Sequence, residues 1–290
     1  MTTIRRFAPK FILSSLVLAS ISCFAADSAP AAPVAKSTTS GKYSEADLNM
    51  MIEQLTKSGK LDAAIDSGVK RFVANQQATA AKAQEAEQAK RADQAKNARK
   101  VAPARDHIYG SAKADWSFIV YSDLECPYCK LHSGMPEAAA KIIGLDKVNV
   151  VFRHLPLPMH GDTAKKEAVA AECVAKQAGN DGFFKFVNDV LKTSQLNGQG
   201  LKDGDAGLAK LALAAGAKDE NAFVACMQDP KSADNVKEDL ADGSGAGVSG
   251  TPGNIIRNNK TGFSVAAHGY NSGGETAIAA HIKSVMAGGK

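Results

Sequence analysis

The sequence lacks three features that would assign it to a broad class of proteins: a long apolar run, an excess of one charge, and a second pair of closely spaced metal ligands. Its 290 residues are 44% hydrophobic and 22% charged, an ordinary globular composition with room for one large or two small domains. No apolar run approaches the roughly 20 residues that a membrane-spanning helix needs. We therefore expect a soluble protein.

The formal charge of +5 is concentrated at the N-terminus. Three of the 35 basic residues lie within residues 1–25, so the rest of the chain nearly balances its 30 acidic residues. A nearly neutral chain is a poor electrostatic partner for a phosphate backbone. We therefore expect no binding to nucleic acid.

Residues 1–25 have the pattern of a secretory signal peptide. Basic residues come first, and the apolar run Phe11–Ile21 that follows is too short to span a bilayer. Small residues at Cys23 and Ala25 favour cleavage before Ala26. An uncleaved anchor and a lipidated Cys23 are the alternatives. We expect the leader to be removed and the chain to be exported to the periplasm.

The next part of the chain is predicted to be helical without a core of its own. Residues 26–42 are rich in alanine, proline, serine and threonine and are expected to be a flexible leader. Residues 43–75 read as two short amphipathic helices, the first opened by Ser44 with Asp47 as its capping-box partner. Such short helices cannot enclose a core, so we predict an oligomerisation module, with packing on the parent domain as the alternative. The apolar positions are Leu48, Met51, Ile52, Leu55, Leu61, Ile65, Val69, Phe72 and Val73.

Residues 76–106 are predicted to form a helical spacer. Alanine, glutamine, lysine and glutamate dominate its first part, and all favour helix. Alanine recurs every three residues from Ala83 to Ala98, a spacing that drifts around a helix of 3.6 residues per turn. Because no continuous seam results, we predict a solvated spacer that ends at Val101–Pro103, and not a coiled coil.

From residue 107 to residue 290 the pattern is that of an α/β domain. Short buried strands alternate with helices, and a long helical insertion separates the second strand from a late hairpin. The expected elements are strands at Trp116–Tyr121 and Val148–Phe152, a helix ending near Ile143, a helical insertion over about 162–242, a hairpin over about 254–267, and a last helix capped by Ser272 with Glu275.

The sequence Cys126, Pro127, Tyr128 and Cys129 follows the first buried strand directly and opens a helix. A cysteine at a helix N-terminus faces unpaired N–H groups and the positive end of the helix dipole, so its pKa should fall below the free value of about 8.5. Pro127 suits the first turn, where its missing N–H is no loss. Cys129 lies one turn on and can close a reversible disulfide. We expect an exposed, activated nucleophile with a resolving thiol beside it.

Three other interpretations of this pair compete with redox activity. A structural disulfide between such close cysteines would constrain the unfolded chain little. A zinc site would need a second paired ligand motif, which the sequence does not contain. Copper(I) binding by the reduced pair is chemically reasonable as a secondary property. Redox activity is favoured, and we expect neither a metal site nor a cofactor.

The strand, the Cys-Pro-Tyr-Cys motif with its helix, the helical insertion and the late Thr251-Pro252 together resemble the thioredoxin superfamily. The resemblance is to exported thiol–disulfide oxidoreductases of the DsbA, DsbC, DsbG and ScsC type, and it covers about residues 107–290. It implies a thioredoxin-like α/β fold in which the proline matching Pro252 is cis and lies beside the reactive pair. Such a bend exposes backbone groups that can pair with an extended substrate strand.

The resemblance also implies a role for each residue of the motif and of the late loop. Many relatives carry a buried acid six residues before the first cysteine, whereas this sequence has Val120 there. Asp123 and Glu125 are nearer but are expected to lie in an exposed turn. The implied roles are Cys126 as nucleophile, Cys129 as resolving thiol, Pro127 and Tyr128 as the dipeptide that tunes the redox potential, and Thr251 with Pro252 as the substrate-docking loop.

Two further cysteines, Cys173 and Cys226, fall on separate predicted helices of the insertion. Relatives often carry cysteines in similar contexts, which implies a structural disulfide; two buried free thiols are the alternative. Such a bridge would contribute roughly 4 kcal/mol in the chain-entropy model. The six histidines are scattered and are expected to be surface or core residues, with His132 near enough to the motif to modulate it.

The leading functional prediction is a periplasmic protein disulfide isomerase that works through a mixed disulfide with its client. A dithiol oxidase of the DsbA type and a copper-binding or chaperone module are the alternatives. The expected partners are unfolded or misoxidised exported proteins and a membrane redox partner of the DsbD or DsbB type. Several active sites around a shared cleft would suit disulfide shuffling, so we expect a homo-oligomer, either a trimer or a dimer.

Overall fold

The computed structural model describes residues 43–267 and 269–289. The predicted signal peptide and flexible leader, residues 1–25 and 26–42, lie outside the described residues. The chain divides into two units, residues 1–70 and 71–290. Within the described ranges, no helix is both long and apolar enough to cross a bilayer.

Two helices occupy the predicted module and spacer. Helix α1 spans Glu45–Lys57 and begins with the predicted capping box, in which Ser44 Oγ accepts from the N–H of Asp47 at 3.2 Å. Helix α2 spans Lys60–Gln94, and neither helix contains a buried residue. Gly59, at φ 67°, separates the two helices.

The predicted separation of a second short helix from a spacer is wrong, because α2 is continuous through both. No proline interrupts it, and its residues are mostly good helix formers. The helix also ends earlier than Val101–Pro103. Ala95 and Ala98 are buried, at 0% and 3% exposed, and pack against the sheet residues Ile108 and Ile119.

A five-stranded mixed sheet forms the centre of the second unit, in the order β1-β3-β2-β4-β5. Strands β2 and β3 are parallel, and the other neighbouring pairs are antiparallel. The sequence did not predict β1, which is only three residues long. The strands are β1 His107–Tyr109, β2 Trp116–Ser122, β3 Val148–His154, β4 Gly253–Asn258 and β5 Ser264–Ala267.

Helices cover both faces of this sheet, which confirms the α/β class. Alternate residues of β2 face opposite sides: Phe118 and Val120 belong to the cluster that includes Ile278, whereas Ile119 and Tyr121 belong to the cluster that includes Ala95. A third cluster fills the helical insertion. The remaining helices are α3 Pro127–His132, α4 Met135–Ile143, α5 Gly161–Thr193, α6 Gly204–Ala214, α7 Glu220–Gln228, α8 Asp234–Gly245 and α9 Gly274–Gly288.

Two predicted helix boundaries are wrong. The helix that was expected to run from the motif to Ile143 is broken into α3 and α4 at Gly134, whose φ of 77° lies in the left-handed region. Helix α9 begins after Gly273, and no side chain caps its first turn, so the expected cap from Ser272 and Glu275 does not form.

Candidate active site

The reactive pair lies at the start of α3, shortly after β2 ends. Cys126 is the N-cap residue of α3, with extended backbone angles (φ −87°, ψ 123°), and Pro127 occupies the first turn. The first turn of a helix leaves N–H groups without intrahelical partners, and these point toward the N-cap side chain. The local sequence thus places one thiol at the helix tip and, one turn later, a second thiol on the same helix.

Cys126 also faces the loop before β4. Its Sγ lies 3.4 Å from the carbonyl oxygen of Thr251, and the peptide bond between Thr251 and Pro252 is cis. The expectation of an exposed nucleophile is wrong, since Cys126 is buried, at 5% exposed. The structure therefore brings the two cysteines together with Thr251 and Pro252, although Cys126 and Thr251 are 125 positions apart in the chain.

The two thiols have opposite acidities. The pKa of Cys126 is lowered to about 5, mainly because Cys126 accepts a hydrogen bond from Cys129. Hydrogen bonds with Thr251 and with the backbone N–H groups of Cys129 and Tyr128 lower the pKa further, whereas burial raises it. The pKa of Cys129 is raised well above its ordinary value, first by burial and then by its hydrogen bond to Cys126 and by the charge there. At neutral pH the pair is therefore a thiolate beside a protonated thiol.

Tyr128 lies on the surface beside this pair. Its side chain is 60% exposed, and its ring lies 6.1 Å from that of Tyr270. Exposed Tyr128 therefore provides an apolar surface next to the nucleophile that an unfolded peptide can contact.

The turn before Cys126 is buried, contrary to the expectation for Asp123 and Glu125, which are 1% and 0% exposed. The Asp123 carboxylate accepts from the N–H of Glu125 at 2.8 Å and from the N–H of Leu157 at 2.6 Å, and it pairs with His160 Nδ1 at 2.6 Å. These hydrogen bonds offset the free energy that is lost when the carboxylate is removed from water.

Glu125 is held by the segment that joins α5 to α6. Its carboxylate accepts from the hydroxyl of Ser194 and from the N–H of Gly200 at 3.0 Å, and its backbone oxygen accepts from the N–H of Asn197 at 2.8 Å. The residue immediately before the nucleophile is thereby fixed by the helical insertion.

Glu167 is a buried residue near the motif that sequence reasoning missed. It is 1% exposed, and neither carboxylate oxygen has a hydrogen-bond partner among the described residues. Burial, followed by the charges of Glu125 and Asp123, raises its pKa to about 9. Its spacing from Ala164 and Ala171, both buried on α5, was the available signal, since it places a carboxylate on the apolar face of the helix.

Cys173 and Cys226 are joined in the structure, with their sulfurs 2.05 Å apart and their Cα atoms 5.8 Å apart. The bond links α5 to α7. Cys126 and Cys129 are the free cysteines of the described chain.

Three buried side chains, His107, His154 and Glu172, could in principle surround a metal ion, since their ligand atoms lie within 4.8 Å of one another. These atoms already pair among themselves: Glu172 Oε1 lies 2.7 Å from His107 Nε2 and 3.2 Å from His154 Nε2. Burial raises the pKa of Glu172, but its contacts with His107 and His154 lower the pKa by more, so the net pKa is depressed. The cluster is a hydrogen-bonded group inside the core.

Comparisons with known proteins place most of the second unit among redox proteins. A thioredoxin family model matches residues 102–270. DsbA2 from Pseudomonas aeruginosa is 31% identical, over 62% of this chain and 94% of that chain, with a TM-score of 0.53. A linker-deletion variant of ScsC from Proteus mirabilis aligns over 85% of this chain and 99% of that chain at 16% identity and a TM-score of 0.50, a likeness of fold alone.

A second kind of relative is much longer than this chain. The Na⁺/H⁺ antiporter NhaA 1 from Salinispora arenicola is 39% identical over 97 residues, which make up 33% of this chain and 14% of the antiporter. The chain thus spans about one seventh of the length of that curated relative.

Proposed function

Since this chain belongs to the thioredoxin family and has its fold, as the sequence predicted, we propose that this thiol–disulfide oxidoreductase is a periplasmic disulfide isomerase for exported proteins. The observation that carries the proposal is the split acidity of the pair, with the pKa of Cys126 lowered to about 5 while Cys129 retains its proton. A thiolate is the attacking form of cysteine, and the protonated Cys129 beside it can later resolve the mixed disulfide.

The chemistry begins at Cys126. Its thiolate attacks one sulfur of a wrong disulfide in the client, forming a new S–S bond to that sulfur and releasing the client's other sulfur as a thiolate. A different client thiolate then attacks the mixed disulfide, forms the correct bond and returns Cys126 as a thiolate. No net oxidation occurs in this route, so no cofactor is needed.

A second route ends the encounter when no client thiol reacts. Cys129 loses its proton and attacks Cys126 Sγ, which releases the client as a reduced thiol and leaves Cys126 bonded to Cys129. The protein has then given two electrons to the client. A membrane redox partner of the DsbD type would return the pair to its dithiol form.

The loop at Thr251 and Pro252 is proposed to dock the client. The carbonyl oxygen of Thr251 lies 3.4 Å from the nucleophilic sulfur, so a client strand paired with this loop would bring its disulfide to Cys126. Exposed Tyr128 would contact the same client, and Pro127 with Tyr128 would set the redox potential.

Isomerisation also calls for a client to be held by more than one protomer, and residues 43–75 are proposed to provide the contact. Their apolar side chains are exposed, from 37% at Leu61 to 64% at Phe72. Apolar stripes of this kind gain free energy when a second copy covers them. We infer a homo-oligomer, either a trimer or a dimer.

The second candidate is a dithiol oxidase. A depressed pKa of Cys126 stabilises the reduced form of the pair, and this makes its disulfide a stronger oxidant. The 31% identity to DsbA2 favours the same direction. An oxidase would donate its disulfide to new proteins and be reoxidised by a partner of the DsbB type.

One pair of assays separates the two candidates. The reduced protein is mixed with scrambled ribonuclease, and the oxidised protein with reduced ribonuclease, each with Cys126→Ser as the control. We expect activity to return faster from the scrambled enzyme, and a potential nearer about −180 mV than about −120 mV. Faster recovery from the reduced enzyme, with a potential at the oxidising end, would make the protein an oxidase.

A further inference from the structure

A small cavity lies against the buried thiol of Cys129, between α3, α4 and the sheet. Its volume is about 20 Å³, which is room for one water molecule. The polar lining consists of Cys129 and His132 on α3, Glu137 on α4, and a few hydroxyl and amide groups. The apolar lining includes Val120 and Phe152.

Glu137 is half-buried, and it lines this cavity with one of its carboxylate oxygens enclosed. Its Oε2 atom is enclosed and accepts no hydrogen bond from the described residues. Of the described residues that line the cavity, Glu137 alone carries a carboxylate. An enclosed oxygen without a hydrogen bond has lost its hydration, so a water molecule in the cavity is the natural group to satisfy it.

We propose that Glu137 moves the proton of Cys129, through one water molecule in this cavity, each time Cys129 forms or breaks a disulfide with Cys126. The inference rests on the proposed function and supplies a step which that function needs. Cys129 is 2% exposed, so bulk water does not reach its proton freely. Relatives with an acid six residues before the nucleophile have a carboxylate on the strand, whereas here the carboxylate reaches the thiol from α4.

The proton balance is simple. When Cys129 resolves a mixed disulfide, its S–H proton passes to the water as the water's own proton passes to the Glu137 carboxylate. The Cys129 thiolate then forms a bond to Cys126 Sγ, and the client sulfur leaves with the electron pair of the broken bond. When the pair is reduced, the same proton returns from Glu137 to the departing Cys129 thiolate.

The groups around Glu137 suit this exchange. Burial raises the pKa of Glu137, although its own backbone N–H and Lys141 oppose the shift, so the carboxyl holds a proton at higher pH than an exposed glutamate does. From α3, burial lowers the pKa of His132 to about 4, partly offset by Asn254, so His132 is neutral at neutral pH. The side chains that β2, β3 and α5 contribute to the lining do not titrate.

The test follows the two sulfur steps separately in the full chain. Reduced protein is mixed with oxidised glutathione, quenched in acid and analysed by mass spectrometry, which separates the Cys126–glutathione adduct from the internal disulfide. The rate of adduct formation reports Cys126, and the rate of its conversion reports Cys129. Both are measured from pH 5 to pH 9 for the wild type and for Glu137→Gln.

We expect Glu137→Gln to slow the Cys129 step by about 10-fold or more at pH 7 and to alter its pH profile, with the Cys126 step unchanged within about twofold. The matched control is Glu275→Gln, the same change in the first turn of α9, which contributes no residue to the cavity lining; it should leave both steps as they are. Adding Val120→Glu to Glu137→Gln, which returns a carboxylate to the lining, should recover part of the lost rate.

An unchanged Cys129 step in Glu137→Gln would overturn the inference, as would an equal loss in both steps, which would indicate a structural role. Failure of wild-type Cys126 to form the adduct would instead overturn the proposed function. If Glu137→Gln does not fold, the carbon-13 carboxyl signal of Glu137 is titrated in the wild type. Different midpoints in the reduced and oxidised protein support the relay, and equal midpoints refute it.

Discussion

At Cys126 and Cys129, two chemically identical thiols hold their protons differently because one lies at the tip of a helix and the other inside the protein. Cys126 receives hydrogen bonds from Cys129 and from backbone N–H groups. Cys129 is surrounded by apolar side chains and by the neighbouring sulfur's charge. Each environment favours a different protonation state, and the difference gives one sulfur the attacking role and the other the resolving role.

The first prediction concerns the titration of Cys126. Thiolate absorbance of the reduced protein should show a midpoint near pH 5, and Cys126→Ser should remove it. Because the folded pKa lies below the unfolded value of about 8.5, ionisation stabilises the reduced fold. This contribution is complete above the unfolded pKa and is lost as the pH falls toward 5. A midpoint near 8.5 would contradict the assignment of Cys126 as the activated nucleophile.

The second prediction concerns Glu167, whose folded pKa of about 9 lies above the ordinary glutamate value. Between these two values the folded protein binds more protons than the unfolded chain, so the free energy of unfolding should fall as the pH rises. Glu167→Gln should remove this dependence and stabilise the protein at pH 8 by on the order of 1 kcal/mol, as measured by urea unfolding.

Glu172→Gln is the matched control for this experiment. The net pKa of Glu172 is depressed, and its carboxylate accepts from His107 and Asn235. Its substitution should therefore destabilise the protein at pH 8, opposite in sign to Glu167→Gln. Destabilisation by both variants would show that Glu167 has a stabilising partner.

At the scale of elements, the sequence predicted those features that depend only on residues close together in the chain. The strand before the motif, the cysteine at the helix tip, the proline in the first turn and the capping box at Ser44 all depend on neighbours in the chain. The break between α3 and α4 depends on one glycine, Gly134, whose left-handed backbone a helical pattern does not reveal.

Burial of the turn before the motif was not predictable in the same way. Asp123 and Glu125 look like surface residues until Leu157, Ser194 and Gly200 are brought to them by the fold. The role proposed for Glu137 has the same origin. Its distance from Cys129 in sequence does not indicate a shared cavity, which the packing of α4 on the sheet creates.

The third prediction concerns the bond between α5 and α7. Replacing Cys173 and Cys226 together by alanine should lower the free energy of unfolding by about 3–4 kcal/mol, because the unfolded chain regains the freedom of a long loop. Urea unfolding of the oxidised proteins measures the difference. The Cys126 reaction with oxidised glutathione serves as the control for an intact site, and an unchanged unfolding midpoint would refute the prediction.

At the scale of the whole molecule, the chain combines a redox unit with helices that have no buried residue of their own. A reactive pair can exchange disulfides one at a time without any such helices. Isomerisation places a further demand, since the client must stay bound while its sulfurs rearrange. This difference makes the assembly of the full chain the decisive property.

The fourth prediction tests that assembly. Ile65→Glu combined with Phe72→Glu, which places two charges on the exposed apolar stripe of α2, should reduce the solution mass to that of a monomer. Isomerase activity on scrambled ribonuclease should fall by about 10-fold, while Cys126 keeps its reaction with oxidised glutathione. Gln77→Glu with Gln84→Glu adds the same charge at exposed polar positions of α2 and should change neither property. If the double variant keeps the mass of an oligomer, the apolar stripe of α2 does not hold the protomers together.

The contacts of Glu125 have a practical consequence for anyone who alters this protein. Connections between helices are usually the safest places to insert a tag, a reporter or a cleavage site. Here the link from α5 to α6 holds the backbone and the carboxylate of the residue before Cys126. A label placed there would disturb the residue that precedes Cys126, so fusions should be placed in a different connection.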